Sequence, residues 1–239
     1  MSAFKVLKKI FVVVKIQVSK LRDPRRYVIK GRNLLDNVRF LNLGWNYWGS
    51  RIAQETLIDL SQITLNRTEA NAYEAGAASD FKLLEKWIAK SPRFVKCQEV
   101  FIDLGSGKGK FVYLASKSRM YKEIIGLEFD PFLVSESRKL LSNIGLPDQF
   151  EIRQQDIRET VLSNKNTTIF LFNSCGEGIL KEFVENNEDH FRRHDSLIFY
   201  VNAKHISVFS DFDNVKRLRK TLAGHEIYVI YNNSSVSLN

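Results

Sequence analysis

The sequence predicts an α/β protein: a doubly wound, mostly parallel sheet of the seven-stranded type, carrying a helical N-terminal extension. Three observations predict it. From about residue 97 onward, strand-like runs alternate with helix-like ones, the rhythm of a parallel sheet covered on both faces. Several of those runs, TTIFLFN and SLIFYVN among them, are continuously apolar, as strands buried on both faces must be. One run, FIDL, leads straight into three alternating glycines that open a helix.

The strands are expected at 99–104, 123–129, 150–155, 167–173, 196–202 and 226–232, with helices at about 108–119, 131–144, 177–189 and 213–221. Right-handed crossovers then place a ligand crevice at the carboxyl ends of the strands. Before residue 97 the pattern reads helical. RNLLDNVRFLNLGWNYWGSRI is rich in aromatics, AQETLIDLSQITL keeps helical spacing, and Asp80 stands where an N-cap belongs ahead of FKLLEKWIAK, which stops at Ser91-Pro92. The expected organisation is residues 1–97 as a helical extension and lid packed on the core, and residues 98–239 as the sheet domain.

The formal net charge of +9 favours an anionic partner. The excess gathers near the N-terminus, at Lys5, Lys8, Lys9, Lys15, Lys20, Arg22, Arg25, Arg26, Lys30 and Arg32. Residues 3–21 read as a helix with Phe4, Leu7, Ile10, Phe11, Val14 and Val18 set among lysines, a pattern that docks on the protein's own core or lies on a membrane surface. IFVVVKIQV is too short to span a bilayer and is interrupted by Lys15. Cys97 and Cys175 build no disulfide framework and no CxxC pair, which fits a reducing, cytoplasmic setting, peripheral to a membrane if the basic helix lies on one. His190 and His194 stand one helical turn apart, but no Glu follows the first His and two arginines sit between them, which reads as a solvated helix face, so no metal is expected.

The chemistry gathers at the glycines. Asp103, Gly105, Gly107 and Gly109 form D-x-G-x-G-x-G between a strand and a helix. Glycine permits the tight turn and lets a ligand come close to the backbone, and the helix N-terminus beyond favours a carboxylate or phosphate. The dinucleotide fingerprint G-x-G-x-x-G would need its third glycine at position 110, which is Lys110. Glu128 ends the second strand about twenty residues on, where an acid can accept both hydroxyls of a ribose. Asp156 follows the third strand, and Asn173 ends the fourth in FLFNSCG.

This ordered set, over about residues 73 to 202, resembles the class I, Rossmann-like S-adenosylmethionine-dependent methyltransferases. The resemblance implies S-adenosyl-L-methionine as cofactor. It implies that Asp103 orients the loop and the methionyl ammonium, that Gly105, Gly107 and Gly109 admit the methionyl and ribose parts, that Glu128 holds the ribose, and that Asp156 and Ile157 bracket the adenine. AYEAGAASDF would supply a lid, with Tyr73 and Glu74 in the site; Tyr, an acid and then Phe81 resemble, locally, the nucleosomal lysine methyltransferases that lack a SET domain. Asn173 and Tyr73 are then the candidate catalytic residues. Amino-group methyltransferases commonly carry Asn/Asp-Pro-Pro-aromatic after the fourth strand; NSCG keeps only the Asn. The acceptor is a protein, a glycan or a small molecule, with a protein amine as first expectation. Two alternatives stay open: a non-catalytic protein that keeps the nucleotide pocket, and a nicotinamide-dependent oxidoreductase. Cys175 is expected as a small buried residue rather than a nucleophile.

Overall fold

A computed structural model describes residues 78–142, 150–220 and 225–233. The expected helices before residue 78, and with them Tyr73 and Glu74, lie outside the described residues. The chain order is α1 (Ala78–Ala89), α2 (Pro92–Val95), β1 (Val100–Leu104), α3 (Lys110–Ser118), β2 (Glu123–Glu128), α4 (Pro131–Ser142), β3 (Phe150–Gln154), β4 (Thr167–Phe172), α5 (Glu177–Asn186), α6 (Glu188–Arg193), β5 (Ser196–Val201), β6 (Asn214–Lys220) and β7 (Glu226–Tyr231). The seven strands form one sheet in the order β3-β2-β1-β4-β5-β7-β6. β1 to β5 pair in parallel, and β7 runs antiparallel between β5 and β6. The order reverses between β1 and β4, so a crevice opens at the carboxyl ends of those two strands.

Alternation along each strand sorts the core into two layers. Phe101, Ile124, Phe170, Phe199, Val201, Ile227 and Val229 face α1 and α3, meeting Phe81, Leu84, Ile88, Phe111 and Val112. Ile102, Leu104, Leu127, Ile169, Leu171, Ile198 and Ile230 face the opposite way, onto Ile179, Leu180 and Phe183 of α5 and Phe191 of α6. Phe81 therefore serves as core, edge-on to Phe101 with ring centroids 5.8 Å apart. Asp130 caps α4, its Oδ1 accepting from the N–H groups of Phe132 (2.8 Å) and Leu133 (3.2 Å), with Pro131 at the first helical position.

Four expectations are corrected. Residues 213–221 are not a helix: Asn214–Lys220 is the edge strand β6, paired along β7 with a bulge between Arg217 and Arg219. The three-residue spacing of Val215 and Leu218 imitates a helix, but the bulge breaks the alternation and an edge strand exposes polar residues on both sides. The expected helix 177–189 is two, divided at Asn187, whose side chain accepts from Leu162 N–H at 2.7 Å and donates to the carbonyls of Thr160 and Phe183, each at 2.8 Å. Asp80 lies inside α1 rather than ahead of it, buried, and it accepts from Nη2 of Arg219 at 3.2 Å. His190 is not on a solvated face. It is buried, its Nε2 lies 2.8 Å from Ser196 Oγ, and burial lowers its pKa to about 4.

Candidate functional site

The glycine turn is bonded into the sheet before any ligand arrives. The N–H groups of Gly105 and Ser106 both donate to the Leu127 carbonyl of β2, at 2.9 and 2.8 Å, and Gly109 N–H donates to Ser106 at 2.9 Å. Gly107 N–H donates to Glu128 Oε2 at 2.8 Å, and Asp130 N–H donates to Oε1 of the same side chain at 2.9 Å. Glu128 is thus fixed by one backbone donor on each oxygen. Burial pushes its carboxyl above the usual range, and those two donors pull it part of the way back. It stays half-buried, and a carboxylate with two bonds made still has lone pairs to offer two hydroxyls.

Two of the glycines are forced by contact as well as by conformation. Gly105 has φ +74°, and a Cβ there would stand 2.2 Å from Ser174 Cβ. Ser174 reaches across from the end of β4, its hydroxyl donating to the Leu104 carbonyl at 2.7 Å. Gly109 has φ +77°, and its Cβ would meet Ser137 Oγ of α4 at 2.4 Å. What comes close to Gly105 is the loop after β4, a contact that the ligand-approach reading of this glycine missed.

Asp103 lies between Ile102 and Leu104, which both face α5, so its side chain belongs to the α1 and α3 layer. It is 2% exposed, and among the described residues its Oδ2 has no hydrogen-bond partner. Burial, reinforced by the nearby charge of Glu128, pushes its carboxyl well above the usual range. A buried carboxylate oxygen with nothing to accept calls for a cation or a donor. Glu128 follows Leu127 and shares Asp103's layer by the same alternation.

Asp156 is engaged locally. It caps the short 3-10 helix Ile157–Glu159, accepting from Arg158 N–H at 3.0 Å, and its carboxylate pairs with the Arg158 guanidinium at 2.7 Å, which holds it below the usual range. Ile157 packs into the α5 layer beside Leu104 and Leu127. Asn173 is buried at the end of β4 with φ +40°, a left-handed conformation that Asn tolerates better than most residues. Asn202, at the matching end of β5, has φ +55°. Cys97 is buried and burial pushes its thiol up to about 12, so it is no ready thiolate; Cys175 is buried as well. Among the described residues, no three of His, Cys, Asp and Glu gather to hold a metal. No helix of the described residues is long and apolar enough to cross a membrane.

The sequence reading missed Phe129. It follows Glu128 directly, is 40% exposed, and presents a ring at the carboxyl end of β2. An aromatic immediately after the acid that ends the second strand was the signal for it.

No protein-family profile matches the chain, and no curated protein matches it. Solved structures do. A putative rRNA methylase from Clostridium thermocellum superposes with a TM-score of 0.50 at 10% identity, over 65% of this chain and 97% of that one. The likeness is one of fold. An RNA methyltransferase from Salinibacter ruber, solved with S-adenosyl-L-homocysteine, gives 0.46 at 20% identity over 65% and 94% of the two chains. The B. subtilis tRNA methyltransferase TrmK gives 0.48 at 14% over 62% and 65%. The sheet order is that of a Rossmann-like α/β fold.

Proposed function

We propose that the protein is an S-adenosylmethionine-dependent methyltransferase. The observation that carries this reading is the pair of carboxylates on one layer of the sheet: Asp103, buried with an unpartnered Oδ2, and Glu128, held by the glycine turn. These are the groups a methionyl ammonium and a ribose diol require, and the residues present fit that cofactor. Phe129 offers a ring face for the adenine to stack on. Asp156 reaches the base only by sharing a carboxylate that already serves Arg158.

S-adenosylmethionine, when bound, supplies a methyl group already activated on a sulfonium. The protein has to hold, orient and keep dry. Asp103 would hold the amino-acid end and Glu128 the ribose, both at the carboxyl edge that continues to β4. Asn173, buried at that edge, holds the acceptor; its carbonyl oxygen suits an amine hydrogen and so aims a nitrogen lone pair at the carbon. A protein amine remains the first acceptor that this chemistry admits. Among the described residues that expectation rests on Asn173, because Tyr73 and Glu74 lie outside them.

The test is thermal stabilisation by S-adenosylhomocysteine and by NAD(H), for the wild type and for Glu128→Ala. A ligand at a hundred times its dissociation constant adds about 2.7 kcal/mol of stability. Stabilisation by the homocysteine compound alone, lost in the variant, supports the reading. Stabilisation by NAD(H) alone, or by neither, rejects it.

A further inference from the structure

The helices lie in two layers, one on each face of the sheet, and their exposed charges are arranged on different rules. α5 and α6 cover one face. Their exposed bases are Lys181, Arg192 and Arg193. Each has an acid one helical turn away: Lys181 pairs with Glu185 at 3.7 Å, Arg193 with Asp189 at 3.6 Å, and Arg192 with Glu188. Glu177 and Glu182 are left over, so this layer is mildly acidic. That is how a solvated helix face is built.

α1, α3 and α4 cover the other face; α1 packs beside α3, and Gly109 at the head of α3 lies against Ser137 and Leu141 of α4. Seven bases are exposed here: Lys82, Lys86 and Lys90 in a row along α1 and just past its end, Lys117 and Arg119 at the end of α3, and Arg138 and Lys139 on α4. None of the seven makes an ion pair among the described residues. Arg138 donates to the Ile152 carbonyl at 2.8 Å, and Lys117 stands 5.8 Å from the centre of the Tyr113 ring, contacts that leave both charges uncancelled. The acids of the layer are Asp80, buried and holding Arg219, and the partly exposed Glu85 and Glu136. Seven exposed bases less those two partly exposed acids leave +5 on the outer surface. Acids around its rim are engaged: Glu99 and Glu123 with Lys122 and Lys165, Glu151 with Arg153, and Glu128 and Asp130 with the backbone of the glycine turn and of α4.

Lys82, Lys86 and Lys90 follow one another at i,i+4, roughly 6 Å apart along the axis, where like charges repel and an acid would stabilise. The helix dipole favours bases at the ends of α3 and α4 but not Lys82 near the start of α1. In α6 the bases of the last turn enjoy the same dipole and still have acid partners. Unmatched positive charge spread over three helices fits a ligand of repeated negative charge. The N-terminal residues carry the same sign and do not fit it. A lipid surface also takes up apolar side chains, and among the described residues none of the large exposed apolar ones, Val95, Phe129, Val161 and Val215, belongs to α1, α3 or α4. We propose that the α1, α3 and α4 layer is a docking face for the phosphate backbone of a nucleic acid, held by charge without reading of the bases. Lysine, a compact point charge, suits that task. The face determines where the protein docks, whichever atom takes a methyl group, and it does not depend on the methyltransferase reading.

The experiment follows binding of a fluorescent single-stranded RNA of mixed sequence to the full chain by anisotropy, without cofactor, over a series of salt concentrations. Three triple variants are compared with the wild type. One carries Lys82→Gln, Lys86→Gln and Lys90→Gln; the second carries Lys117→Gln, Arg119→Gln and Lys139→Gln. The third, Lys181→Gln with Arg192→Gln and Arg193→Gln, removes the same net charge from the opposite face. The first two should each lose at least about tenfold in affinity at low salt, and their plots of log affinity against log salt should become shallower by about two, the share of three single-strand phosphate contacts. The third should bind like the wild type. Urea unfolding guards the fold: the α1 variant, relieved of repulsion, should be at least as stable as the wild type, and the third variant less stable. Equal losses in all three variants would reduce the effect to net charge and overturn the proposal. So would unchanged binding in the first two, which moves the contact to other basic residues. A wild type that leaves RNA unbound, whether or not it binds vesicles of phosphatidylserine and phosphatidylcholine through the same lysines, overturns it as well. Failure of S-adenosylhomocysteine to stabilise the protein is a separate result and bears only on the methyltransferase reading.

Discussion

The two halves of the sheet's carboxyl edge are built on different terms. At β1 and β2 the backbone makes the site: four N–H groups of the glycine turn are bonded in advance, and Glu128 is clamped by two of its neighbours' amides. At β4, β5 and β7 side chains make it, through a ring pair, matched ion pairs and two asparagines in left-handed conformations. A backbone-built half requires glycine and acid at fixed spacing, whereas a side-chain-built half can be rewritten residue by residue. The first suits a common cofactor, the second a variable acceptor.

The sharpest way to break this contrast is Glu128→Ala. It removes the proposed ribose contact and leaves Gly107 N–H and Asp130 N–H without their acceptor. Each charge-assisted bond is worth about 1.5–3 kcal/mol, so stabilisation by S-adenosylhomocysteine should fall at least about a hundredfold in affinity. Retained affinity in a calorimetric titration would deny Glu128 its role.

Gly105→Ala comes next. The φ of +74° and the Ser174 contact together should cost about 3 kcal/mol, combining left-handed strain with overpacking. Ser174→Gly in the same chain should restore part of that in urea unfolding. A Gly105→Ala chain that is as stable as wild type would mean that the turn and the β4 loop are not in contact.

Asp103 gives a pH test. Its folded-state pKa is raised, so the native state binds the proton more tightly than the unfolded chain does. The stability this contributes is complete below the ordinary carboxylate range and is lost as pH rises through the raised folded value. The ligand-free wild type should therefore lose melting temperature over that climb. Asp103→Asn should flatten the loss, be the more stable protein at neutral pH, and bind S-adenosylhomocysteine more weakly. An unchanged slope would place the titration elsewhere.

The smallest effect belongs to Cys175→Ala, with a stability loss of about 1 kcal/mol from a small cavity and unchanged methyl transfer. Lost transfer with folding intact would promote the thiol to a chemical role.

The same contrast explains what could be read in advance. β1, β2 and the turn between β1 and α3 follow from FIDLGSGKGK because local rules act there: an apolar run, then residues that only glycine can replace. Strand β6 was misread because nothing local marks NVKRLRK as a strand; its identity comes from β7, across a bulge that hides the alternation. His190 was misread for a similar reason. Asp189, Arg192 and Arg193 around it are charged, and its partner Ser196 lies on the next element. The pairing of Phe172 with His225 joins residues more than fifty positions apart, and no spacing rule connects them. Gly105 was recognised for its backbone freedom, but its Ser174 neighbour was not legible, since Ser174 reaches it only once β4 has paired with β1.

Strand β7 lies between β5 and β6 although it is made last of the three. A ribosome releasing this chain has produced β5 and β6 before it produces the strand that joins them. Until residues 226–231 emerge, the ladder positions Ile198–Val201 of β5 lack a partner strand on that side, and β6 has no strand to pair with. A nascent chain halted near Lys220 is thus an open, apolar sheet edge, the kind of surface that chaperones cover and that joins to its own copies. Translation, and not only thermodynamics, makes the arrival of β7 the step that joins β5 to β6.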